Sequence, residues 1–244
     1  MDNRTNLDNL LSSSPTIQRS GTQSLLSGVF SWMFVALCIS AVSSYFVATN
    51  QEFFNLIHNP ITGGLTGLGW IVTLSPIGLV LLLSFGYEKL AFGPLALIFI
   101  LFSVLIGVGL SSIFVVYTNA SLALTFGISA ITFGIMAITG YTTKTDLTKF
   151  GGIMMMALIG IIVASLLNFL FKSEALYYII SFAGVAIFTG LTAYDVQKIK
   201  NMGMIAEQEG MDIKKLTIMG ALTLYLDFIN LFLFLLDFMG MRRK

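Results

Sequence analysis

The chain has 244 residues, of which 56% are hydrophobic and 10% charged, with 13 basic against 12 acidic side chains and a formal net charge of +1. Soluble domains carry about 25% charged residues, so this composition reads as a polytopic membrane protein, and the near-neutral balance gives no basis for nucleic-acid binding. A single cysteine, Cys38, excludes an intrachain disulfide, and a single histidine, His58, excludes a zinc-type Cys/His cluster.

The first stretch, Met1 to about Gln23, is polar and lacks apolar periodicity, so residues 1–23 read as a disordered cytoplasmic tail rather than a secretory signal. Apolar runs then predict seven spans: Leu25 to Ala48, Leu65 to Phe85, Pro94 to Tyr117, Leu122 to Gly140, Phe150 to Phe171, Leu176 to Val196 and Leu216 to Met239. Each is near the twenty residues that a bilayer requires. Cys38 in the first reads as a packing residue, and His58 in the following loop as a solvated one. Pro76 in the second removes a backbone donor and predicts a kink, tolerable where a neighbour satisfies the freed carbonyl. Gly107, Gly109, Ser111 and Ser112 in the third span, with Gly127, Ser129 and Gly134 in the fourth, supply small faces for close helix packing.

Lysine and arginine set the topology. With a cytoplasmic amino terminus, the inside collects Arg4, Arg19, Lys89, Lys144, Lys149, Lys198, Lys200, Lys214 and Lys215, and the outside loops hold Lys172. Seven full crossings then put the basic tail, residues 242–244, outside. Either the bias of the first six spans overrides that tail, or the last run is a re-entrant segment buried in protein. The reading preferred is an all-α bundle of seven transmembrane helices over residues 24–241, its C-terminal helix enclosed by the other six.

That last helix carries Asp227, a carboxyl group where the bilayer exacts at least about 2.5 kcal/mol. Asp227 is eleven residues, about 17 Å, along the seventh span, and Asp195 lies at the inner end of the sixth. The two spans are antiparallel, and whether the carboxyls meet depends on how deep each helix starts. If they meet, two carboxylates in a low dielectric cannot both ionise cheaply and hold one proton between them. Loss of that proton leaves a repulsion that a divalent cation relieves, and carboxylate oxygens suit calcium, so Asp195 and Asp227 are also the candidate metal ligands. The alternative is a protonated Asp227 acting as a packing hydrogen bond. Tyr194, Lys198, Tyr225 and Asn230 flank the pair as supporting residues, Asn230 sharing the Asp227 face with an amide to offer. Asp237, near Arg242 and Arg243, is either their ion-pair partner or a further cation contact.

The segments YDVQKIK (Tyr194 to Lys200) and LYLDFINLFLFLL (Leu224 to Leu236) resemble the signature of the transmembrane Bax inhibitor motif family, in its bacterial inner-membrane members. GLSSIF (Gly109 to Phe114), GYTTKTDL (Gly140 to Leu147) and ALIGIIVASLLNF (Ala157 to Phe169) extend the likeness over nearly all the spans. The resemblance implies a bundle with its last helix central and a pH-sensitive calcium leak controlled by two aspartates, whose positions carry over to Asp195 and Asp227. It also implies departures: the second span has no charge before Glu88 and Lys89 with which to build a latch ion pair, and Asp237 stands where relatives often place a basic residue. Some bacterial members modulate a membrane-bound protease, so the competing function is an interaction protein. An intramembrane aspartyl protease is disfavoured because Leu224, Tyr225 and Leu226 occupy the place of the expected glycines, and no inverted repeat suggests a transporter. No enzyme activity and no resident cofactor are expected, the partners being the bilayer, protons and calcium.

Overall fold

The computed structural model describes residues 15–243, and the fold within them is helical. In chain order the helices are α1 (Pro15–Thr49), α2 (Gln51–Ile57), α3 (Gly67–Gly86), α4 (Phe92–Gly109), α5 (Ile113–Val116), α6 (Asn119–Thr142), α7 (Thr148–Phe171), α8 (Glu174–Glu209) and α9 (Ile213–Met239). A 3-10 turn, Leu110–Ser112, links α4 to α5 within one span. Seven helices are long and apolar enough to cross a membrane. Local chemistry sets their starts: the side chains of Thr66, Thr118, Ser173 and Asp212 each accept a backbone N–H of the first turn of α3, α6, α8 and α9.

Four expectations are corrected. Helix α1 begins at Pro15, so only residues 1–14 of the expected tail lie outside the described residues. Proline suits the first helical position, and the next turns are held where Thr22, buried, packs on Gly203 of α8. Helix α8 continues through Lys198 and Lys200 to Glu209, so Asp195 lies well inside it rather than at an end. Cys38 faces outward on α1, towards lipid. His58 is half-buried and stacks on Phe54 at 4.3 Å, and burial lowers its imidazole below the ordinary histidine value.

Pro76 is buried within α3 without ending it. The carbonyl it deprives of a donor is that of Val72, and the Ser75 hydroxyl donates to that oxygen at 2.9 Å. Ser75→Ala is expected to cost about 1 kcal/mol, read by denaturant unfolding in detergent; an unchanged midpoint would show that the bond contributes nothing.

Helix α9 forms the core. Ile218, Ala221, Leu224, Tyr225 and Leu231 expose no surface. It packs closely against α1, α4, α6 and α8, while α3 packs on α4 and α7 on α8. The close packing around the last helix is thus provided by four spans rather than six, and α7, with only Gly151 and Ile161 buried, stands at the periphery.

The last helix is long enough to cross in a single pass. Its 27 residues are unbroken and extend about 40 Å, beyond the roughly 30 Å of hydrocarbon. Past Gly240 the chain is held at the far end: Thr118 N–H donates to the Met241 carbonyl at 3.1 Å and Arg243 N–H to that of Val116 at 2.8 Å. A re-entrant course is excluded, and Arg242 and Arg243 lie at the end opposite Lys214 and Lys215.

Candidate functional site

Asp195 on α8 and Asp227 on α9 meet inside the bundle. The two helices form a hairpin whose turn is fixed by Gly210, in the left-handed region at φ +66°, and by Asp212, which caps α9. Asp195 precedes Gly210 by 15 residues and Asp227 follows Asp212 by 15, so both arms bring their carboxyls to one level about 22 Å from the turn. The two carboxyls are within hydrogen-bonding reach of each other. Asp195 is 8% exposed and Asp227 5%, and Oδ2 of Asp227 has no hydrogen-bond partner among the described residues.

Two cavities adjoin the pair. One, of about 810 Å³, lies between α7, α8 and α9 and is lined by both aspartates, Tyr194, Lys198, Thr223 and Asn230 together with apolar side chains. The other, of about 190 Å³, lies towards the lysine-rich end between α1, α8 and α9. Asp195, Lys198 and Thr223 line both, so Asp195 stands at the partition, with Asp227 on the side of the larger cavity. Of the lining residues Lys198 alone is cationic, and α3 contributes to neither wall.

The supporting residues divide. Tyr194 and Lys198 are at the site. Asn230 lines the larger cavity, but its Nδ2 donates to the Leu226 carbonyl of its own helix at 2.8 Å rather than to Asp227. Tyr225 is turned away, because two helical residues are separated by about 200°. Its hydroxyl lies 2.6 Å from that of Ser40 on α1, which in turn donates to the Ser103 carbonyl at 2.7 Å, and Phe99 and Phe102 pack edge-on against its ring. Asp237 belongs to the far end, where it accepts from the Tyr117 hydroxyl at 3.0 Å and lines a 500 Å³ pocket with Lys172, Tyr177 and Arg242.

For a cation, the pair offers two carboxyls and the Asn230 amide oxygen nearby. Calcium takes six to eight oxygens, and no group of three or more His, Cys, Asp or Glu that could hold a metal occurs among the described residues. An ion here would keep much of its water, which suits passage better than residence.

A family model described as inhibitor of apoptosis-promoting Bax1 matches residues 22–244. The chain belongs to the Bax inhibitor-1 family. It is 45% identical over 226 residues to inner membrane protein YbhL of Escherichia coli, covering 92% of this chain and 94% of that protein. A protein of Borreliella burgdorferi is 45% identical over 219 residues, covering 90% and 92%, and the Rickettsia prowazekii protein RP147 is 38% identical over 223, covering 91% and 92%.

The Bax inhibitor-1 stretches dock on one another, and the residue that does this was not singled out by sequence reasoning. Gln197 of YDVQKIK accepts from Leu147 N–H with Oε1 and donates to the Thr145 carbonyl with Nε2, both at 2.8 Å. Lys200 adds a bond to the Tyr141 carbonyl at 2.7 Å and stands 5.2 Å from that ring's centre. The loop before α7 is thereby tied to the helix that carries Asp195. The only local signal was an amide-bearing residue two positions after a buried aspartate. Gln197→Leu removes both bonds and is expected to destabilise by about 2 kcal/mol, read as a shifted unfolding midpoint; a wild-type midpoint would contradict that role.

Proposed function

We propose that this protein is a cation leak, chiefly for calcium, of the bacterial inner membrane, gated by protonation of Asp195 and Asp227. The observation that carries the reading is the contact of two buried carboxyls in the larger cavity, one of which, Asp195, also lines the smaller. A hydrogen bond between carboxyl groups needs a proton on one of them, and that shared proton holds α9 against α8. The larger cavity and the 500 Å³ pocket at the far end share no lining residue, and the described conformation is read as the shut one. Removal of the proton leaves two carboxylates facing one another in a low dielectric, which drives the helices apart and draws in a hydrated cation. Family membership and the name of the Escherichia coli relative support the inner-membrane assignment. The lysine-rich end, and with it the amino terminus, is assigned to the cytoplasm by charge bias.

The sign follows from the proton: flux is low where the pair keeps it and rises as pH rises through its loss. Calcium entry into proteoliposomes, measured from mildly acidic to mildly alkaline pH, tests this. A rising profile is expected; a flat or falling one refutes the gate.

A further inference from the structure

The larger cavity is more than a vestibule, because it opens sideways. Its wall on α7 is formed by Met155, Ile162, Leu166 and Phe169, whose side chains are 49%, 52%, 65% and 78% exposed on the surface that faces lipid. Its inner wall is formed by Ile161, Phe188 and Leu191, all buried, and ends at Asp227. The groove therefore runs from the bilayer to a buried carboxyl with an unpartnered oxygen. From Met155 to Phe169 the α7 wall extends 14 residues, about 21 Å. At about 810 Å³ the space is within the usual range for small-molecule sites.

The polar end is rich in acceptors. Asp227 Oδ2 is buried without a partner among the described residues, the Asn230 amide donates to Leu226 with its nitrogen, and the Thr223 hydroxyl donates to the Met219 carbonyl at 3.1 Å, which leaves its lone pairs to accept. Lys198, the cation that lines this space, also lines the smaller cavity, as Asp195 does. A head group that satisfies three acceptors needs three donors, and a primary ammonium has three. A carboxylate head would face two carboxyls, and an alcohol offers a single donor.

We propose that the groove between α7, α8 and α9 binds a single-chain amphiphile with a primary ammonium head, taken up from the bilayer with its chain along α7 and its head at Asp227, Thr223 and Asn230. The site is independent of whether the protein conducts calcium. It takes its ligand from the membrane, and its selectivity rests on charge and donor number.

The test uses the full chain in lipid nanodiscs and an octadecylamine carrying a photoactivatable diazirine in mid-chain. Cross-links are expected on α7 between Leu158 and Phe169, displaced by unlabelled octadecylamine and not by stearic acid. Asp227→Asn should weaken labelling roughly tenfold or more, the scale of a lost charge-assisted hydrogen bond. Ser165→Trp, which fills the groove from its α7 wall and leaves both aspartates in place, should abolish it in protein of unchanged elution profile and thermal midpoint. Equal labelling of a well-folded Ser165→Trp variant, equal competition by stearic acid, or cross-links confined to other helices would each overturn the proposal.

Discussion

Replacing Asp227 by Asn is expected to flatten the pH profile of calcium flux and to leave the leak low throughout. The amide keeps the shape and donates a hydrogen bond to Asp195 at every pH, so the repulsion that parts α8 from α9 never develops. Two unit charges about 4 Å apart at an effective dielectric near 20 repel by about 4 kcal/mol, and each 1.4 kcal/mol is about a factor of ten in an equilibrium. A loss of at least about tenfold in flux at alkaline pH is therefore the conservative expectation. Asp195→Asn acts on the same contact and should give the same profile. Since each change removes the one interaction, the double variant should add little further loss. A variant whose flux still rises with pH as in the wild type would place the gate elsewhere.

Gly140→Leu is expected to destabilise the protein by about 3 kcal/mol or more, near the upper end for overpacking, because a β-carbon there runs into the backbone carbonyl of Ala193 on α8. Backbone cannot swing aside as a side chain can. Gly107 is in the same position against the Ser40 carbonyl on α1. Gly127 and Gly134, by contrast, have open space where a side chain would go, and alanine at either should be neutral or stabilising by up to about 1 kcal/mol through helix propensity. Unfolding midpoints of the three variants decide this. Indistinguishable midpoints for Gly140→Leu and Gly127→Ala would mean that α6 and α8 are not as close as described.

Those glycines show where sequence legibility stops. Small residues in a span predict close packing somewhere, but a β-carbon clash is a property of two helices, and composition names only one. Gly107 meets that expectation; Gly109, Gly127 and Gly134 do not. The seven spans and the special position of Asp227 were legible because hydropathy and the cost of a buried charge act on each segment separately. The meeting of Asp195 with Asp227 was legible in principle. Gly210 and Asp212 mark the turn, and equal arms of 15 residues then fix a common level. Placing the end of the sixth span at Val196 hid that symmetry, since Lys198 and Lys200 look like a helix end but are carried on a helix that continues past the apolar core. Tyr225 shows the opposite error. Proximity to Asp227 in sequence suggested a shared role, and a rotation of about 200° sends the ring to Ser40 instead. Gln197 gave almost no advance signal, because its partners are backbone groups about 50 residues away.

The proposed gate keeps one proton between Asp195 and Asp227 when the leak is shut and loses it when the leak opens. Infrared difference spectroscopy of the protein in lipid, titrated in parallel with calcium flux, reads that proton through the C=O stretch of a protonated carboxyl group. A buried carboxyl band that disappears over the pH interval in which flux rises, and a different response in Asp227→Asn, is the predicted result. A band that persists while flux opens, or no protonated carboxyl at the pH where flux is lowest, would contradict the account.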